Sequence, residues 1–246
     1  MNDTYLYPYS ADEAKRLNEL ALWRGSHREN IFCRETIEAV IRQGFDGMYL
    51  DSDCADKVIN DYGFRRVKFV LANTLQEKNW DGRFSRQNRE WFGRTMVPPD
   101  ARHNCEFVVE SHPAVLDGFM DQYRQAYQAL GLFEPAQCEP DSRSELDYTG
   151  RVLVLSPDAL KESCWSPENQ LWLAHDGFGC SPRTIGRSIR CTCLGDGEMT
   201  RWNRTDFVGV LNEKFLPEWA SAKLKQLSTH QPQQHTPGMN GMNMGG

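Results

Sequence analysis

The chain has 246 residues, of which 39% are hydrophobic and 25% charged, and a formal net charge of −6. No run approaches the roughly 20 apolar residues that span a bilayer, and the opening MNDTYLYPYSADEAKR lacks a basic start followed by an apolar stretch. Neither a membrane span nor a secretory leader is therefore expected, and the cytosol is the expected compartment. The charge is uneven, with 18 basic against 25 acidic side chains in residues 1–150 and 10 against 9 in the rest. That balance argues against a chain built to wrap nucleic acid, which needs clustered cations.

The first hundred residues carry helical periodicity. Ser10 to Glu13 has capping-box spacing, and Ala14, Leu17 and Ala21 follow on one face, with Gly25 as a stop. Ser26 to Glu29 repeats the box and opens a second run through Cys33, Ile37, Val40 and Ile41, ending at Gly44. DSDCADKVINDYG predicts a third helix, FRRVKFVLANTLQEKN a fourth, and Ser85 to about Trp91 a fifth. Pro98 and Pro99 break the pattern. Ser111-His112-Pro113 then opens a longer helix to about Leu130, followed by the polar, proline-bearing stretch EPAQCEPDSRSELDYTG, which predicts the main linker.

After Gly150 the period shortens. RVLVLS, NQLWLAH, SIRCTCL, EMTRW and DFVGVL predict strands, with Gly195-Asp196-Gly197 as a hairpin turn and LPEWASAKLKQL as a closing helix. Ser156-Pro157 and Ser166-Pro167 each pair a cap residue with a first-turn proline. The tail from Ser228 is low in complexity and is expected to be disordered. The expected organisation is α+β: a helical domain over 1–97, a bridging helix and linker over 98–149, a small β-rich roll or barrel-like domain over 150–227, and the tail over 228–246.

The densest candidate site is GFGCSPRTIGRSIRCTCLGDGEMTRWNRTDF, residues 177–207, with three cysteines, five arginines and five glycines. His175, Cys180, Cys191 and Cys193 could supply four zinc ligands or a thiol nucleophile with a base. The C-x-C spacing, however, sits in a strand pattern that puts Ile189, Cys191 and Cys193 on one core-like face. The cysteines are scattered through a well-cored chain, so buried thiols are expected in a reducing compartment, with no metal, no cofactor and no catalytic residue assigned. Gly177, Gly179 and Gly186 with nearby arginines could cradle an anion, but neither a P-loop nor a dinucleotide fingerprint is present. Arg201, Trp202 and Arg204 alternate charge with a large ring beside the hairpin, which suits a contact surface. The expected partner-binding face is Arg183, Arg187, Arg201, Trp202 and Arg204.

Two resemblances add context. The segments YPYS, RENIFC, GFDG, VLANT and WDGRFS, spread over residues 5–92, resemble a domain-of-unknown-function family carried by conjugative elements and phages of gut Firmicutes. The rear segment is similar to a module of the same class of mobile-element proteins, through Gln170, Gly177, Phe178, Gly179, Cys180, Gly186, Asp196, Gly197, Glu198, Arg204, Asp206 and Phe207. His175-Asp176 departs from the small residue and glycine more common there. What the resemblance implies is accessory cargo of mobile DNA: an interaction module, an anti-defence factor, or a partner of helicase, primase and relaxase machinery. The expected function is a non-enzymatic accessory or binding protein acting through protein contacts, with inhibition of a host defence protein as one role. A thiol- or metal-dependent enzyme and a nucleic-acid-binding module on the rear arginines are the alternatives.

Overall fold

The structure is a computed structural model that describes residues 6–97, 105–140, 143–184 and 186–229. The chain divides into two compact units, Met1–Leu132 with Pro157–Ser166, and Phe133–Ser156 with Pro167–Gly246. Helices fill the first and an antiparallel sheet organises the second, an α+β layout. The proline break at Pro98-Pro99 and the tail from residue 230 onward lie outside the described residues.

The first unit begins with α1 (Ala11–Arg16), where the Ser10 hydroxyl accepts from the Glu13 amide as the cap spacing requires. α2 (Leu20–Gly44) then runs without a break through Gly25 and Ser26. The second capping box does not form, because Ser26 is turned inward. Its hydroxyl accepts from the Tyr7 amide at 3.0 Å and its carbonyl from the buried Arg66 guanidinium at 2.9 Å. The third and fourth expected helices form one element, α3 (Cys54–Glu77), kinked at Gly63, whose φ of 77° lies in the left-handed region.

α4 (Arg86–Gly93) starts on a Ser85 cap, and α5 (Pro113–Ala129) on proline at its first turn. Their apolar faces share one core with α2 and α3, built from residues such as Ile37, Val67, Leu71, Phe92, Phe119 and Tyr123. The short segment Pro157–Ser166 completes this unit. The Glu162 carboxylate accepts from the Phe64 and Arg65 amides at 2.7 and 2.8 Å, capping the helix that restarts after Gly63. Trp165 packs on Phe64 and Tyr127, with the Arg65 guanidinium over its ring.

The second unit is a five-stranded antiparallel sheet of β1 (Val152–Leu155), β2 (Leu171–Asp176), β3 (Ser188–Cys193), β4 (Met199–Asn203) and β5 (Phe207–Val210). Its order is β4-β3-β2-β1-β5, so the sheet is open rather than closed into a barrel, with β4 and β5 at its edges. A short helix, α6 (Pro167–Gln170), precedes β2, and α7 (Glu218–Thr229) closes the unit. The β3–β4 hairpin turns through Gly197 at φ 86°, with the Asp196 carboxylate accepting from the Glu198 amide.

Residues 133–150 belong to this unit and are tied into it. The Glu139 amide donates to the Val210 carbonyl at 2.8 Å, and the Tyr148 amide to the Cys180 carbonyl at 2.9 Å. One face of the sheet packs Phe133, Val154, Leu171, Leu211 and Ala220 together.

Candidate functional site

The GFGC turn is fixed by close backbone approach. A Cβ on Gly177 would meet the Ser188 carbonyl oxygen at 2.5 Å, and φ there is +121°. One on Gly179 would strike the Arg187 carbonyl and the Ile189 side chain. The two glycines therefore seat the turn against the start of β3, with Cys180 buried inside. Phe178, held between them, points outward and is 85% exposed.

Arg204 holds the turn from the other side. It is 3% exposed and donates to the carbonyls of Arg143, Leu146, Gly179, Cys180 and Ser181. Its guanidinium lies over the Tyr148 ring. It is thus a structural clamp and not part of an exposed partner face, which corrects the expectation for this residue. Each of the three guanidinium nitrogens finds a carbonyl, which is what makes a buried arginine tolerable.

The other expected contact residues separate as well. Arg201 and Trp202 are neighbours on β4, so strand alternation sends them to opposite faces. Trp202 is partly buried, packed edge-on against Trp172 with ring centres 5.6 Å apart. Arg183 is exposed and forks onto Glu145 at 2.9 and 3.1 Å. Arg187 and Arg201 are exposed.

What comes together instead is a smaller patch at the β3–β4 end of the sheet. Arg201 pairs across the strands with Arg190, and Ser188 with Asn203. The Phe178 turn lies beside Ser188, and the Arg204 amide donates to the Arg187 carbonyl at 3.0 Å. The exposed Phe178 turn therefore sits against the start of β3, where Arg187 precedes the strand, and Arg190 and Arg201 follow along the β3–β4 pair. Asp176 answers Arg190 in an ion pair, and among the described residues Arg187 and Arg201 have no ion-pair partner. Like charges placed directly opposite across a ladder repel, and the Asp176 carboxylate on Arg190 offsets that repulsion. Phe178 and Arg190 were not singled out as contact residues from sequence. The signal available was a bulky ring between two glycines.

The thiols are placed for packing. Ile189, Cys191 and Cys193 share one buried face. Burial pushes the Cys191 thiol up to about 12 and raises Cys180 and Cys193 above the ordinary range. His175 Nε2 bonds the Thr192 hydroxyl at 2.7 Å, and burial together with the Arg190 charge lowers its pKa. Among the described residues no group of three or more His, Cys, Asp or Glu side chains is placed to hold a metal ion.

The first unit carries its own exposed display. In the loop after α2, Phe45 bridges to Leu50, and the Asp46 carboxylate accepts from the Met48 and Tyr49 amides at 2.8 and 2.7 Å. Met48 and Tyr49 are 74% and 71% exposed.

A family model described as a protein of unknown function, DUF3849, matches residues 6–128, half of the chain. YPYS, RENIFC, GFDG, VLANT and WDGRFS all lie inside the match, while the Phe178 patch lies outside it. No curated protein matches the chain, and no solved structure does.

Proposed function

We propose that this chain, which belongs to the DUF3849 family of proteins of unknown function, is a protein-binding accessory factor that takes its partner at the β3–β4 end of the second unit. The observation that carries this reading is Phe178, 85% exposed on a turn whose two glycines pack tightly against β3. A turn fixed in place before binding loses little backbone entropy on docking, and aromatic and arginine side chains dominate interface energetics.

Protein is favoured over nucleic acid because Asp176 and Glu145 each neutralise an arginine of this region. Affinity for a phosphate backbone grows with the number of free cations, and two uncompensated arginines supply little of it. An enzyme using His175, Cys180, Cys191 and Cys193 has less behind it. The thiols are buried with raised pKa values, and His175 Nε2 is engaged by Thr192. The setting we propose is a mobile genetic element, on the resemblance of both segments to proteins of such elements. The acidic surplus of residues 1–150 suits contact with a basic channel of a host nucleic-acid-targeting protein.

Affinity capture from producing cells tests this reading, using wild type and a Phe178→Ala/Arg187→Ala/Arg201→Ala variant with matched melting temperature. One protein should be retained by wild type and lost by the variant. Equal retention by both, or retention of nucleic acid instead, would count against it.

A further inference from the structure

The two edges of the sheet are treated differently. At β5 the outer side is occupied, because the Glu139 amide donates to the Val210 carbonyl and the Asn212 amide to the Gln137 carbonyl, with Cys138 bridging Leu211. Among the described residues, β4 has only β3 as a neighbour. The hydrogen-bond phase of the hairpin shows which groups are left over. The Cys193 amide donates to the Glu198 carbonyl at 2.8 Å, so Glu198, Thr200 and Trp202 bond inward to β3. Met199, Arg201 and Asn203 then turn their backbone groups to the open side. The outward Asn203 amide is satisfied by the Asp206 carboxylate at 2.8 Å. The open edge therefore begins at Met199 and ends after Arg201.

Folded proteins usually cover, bend or charge such an edge, because it templates pairing with another chain. Here one edge is covered and the other carries the exposed Arg201, opposite Arg190. The exposed arginine disfavours a basic strand and complements a carboxylate. We infer that β4 accepts an extended acidic segment of a partner protein as a sixth strand. Its backbone would pair with Met199 and Arg201, and a carboxylate on it would meet Arg201, since Arg190 lies one strand further in and is already paired with Asp176. Main-chain bonds supply affinity in such additions, and alternate side chains supply selection. This inference rests on the protein-binding reading above and specifies the form and charge of what is bound.

The test uses the full chain and a labelled peptide of alternating Glu and Val, read by fluorescence anisotropy. Three comparison peptides are a Lys-for-Glu version, a Ser-for-Glu version and one whose alternate backbone amides are methylated. Wild type should bind the acidic peptide and bind the Lys and Ser versions at least tenfold more weakly. Arg201→Glu should abolish binding. Met199→Pro keeps every arginine but removes an outward amide, and should weaken binding about tenfold, as should methylation of the peptide. The methylated peptide gives this answer even if Met199→Pro fails to fold. If Arg201→Glu abolishes binding while methylation leaves it unchanged, strand addition is wrong and only charge-driven docking survives. If wild type ignores the acidic peptide yet retains a cellular protein through Phe178 and the arginines, strand addition is again wrong and the protein-binding reading stands. Pairing of two copies through β4, seen as a dimer lost in Met199→Pro, would also overturn it.

Discussion

The Arg204 guanidinium lies 3.7 Å from the centre of the Tyr148 ring, and its five hydrogen bonds all end on backbone carbonyls. One buried cation thus joins the residues after β4, the turn 177–181 and the segment 143–148. Arg204→Ala would strip the Gly179 and Leu146 carbonyls of their donor, while the Cys180, Ser181 and Arg143 carbonyls keep Tyr148 and Thr184, so it should destabilise the protein by about 2 kcal/mol. Arg204→Lys should not restore it, because an ammonium cannot reproduce the planar fork. Denaturant unfolding of the three proteins checks this; an alanine variant as stable as wild type would show that the clamp contributes nothing.

The glycines of the turn make a sharper comparison. Gly179→Ala places a methyl against the Arg187 carbonyl and Ile189, whereas Gly82→Ala meets nothing within 4 Å. The first should cost about 1–3 kcal/mol, as overpacking does, and should lower partner retention by displacing Phe178. The second should leave melting temperature and retention alone.

At Gly63 the φ of 77° and the closeness of Glu162 act together. A Cβ there would lie 2.5 Å from a Glu162 carboxylate oxygen. Glu162→Ala removes the cap on the Phe64 and Arg65 amides and should cost about 1 kcal/mol, the usual scale of a lost helix cap. In a double-mutant cycle Gly63→Ala should cost less in the Glu162→Ala background, since part of its penalty is the clash. Strict additivity would mean that the left-handed backbone alone sets the cost.

Much of this architecture was legible in the sequence because it is local. Ser10 and Ser85 cap, Pro113 opens α5, and Gly195 to Gly197 turns the hairpin. The failures are long-range. Ser26 looks like a cap until Tyr7 and Arg66, far along the chain, claim its polar groups. Gly63 kinks α3 rather than ending it, since Glu162 caps the restarted turn from a segment nearly a hundred residues later. Arg204 looks like a solvated charge because its acceptors are carbonyls contributed by residues 143–181, which no side-chain pattern announces. The Phe178 patch was half visible: Arg187 and Arg201 were expected, while the ring's exposure depends on backbone contacts to β3.

Acid should expose one ion pair. The Arg83 guanidinium and the Arg83 amide hold the Asp81 carboxyl down at about 2, against an ordinary value of 3.8. A folded-state pKa below the unfolded one contributes stability that is complete above about 3.8 and disappears as pH falls through about 2. Asp81→Asn should lower stability at neutral pH and flatten the pH dependence across that window. An unchanged acid limb in the variant would assign it to other carboxylates.

Hydrogen exchange of the purified protein, alone and with its captured partner, tests the central claim most directly. The amides of Met199 and Arg201 and those of the turn around Phe178 should exchange more slowly in the complex, because partner backbone and side chains cover them. Slowing confined to the first unit, such as the Met48–Tyr49 loop, with β4 and the Phe178 turn unchanged, would contradict the account.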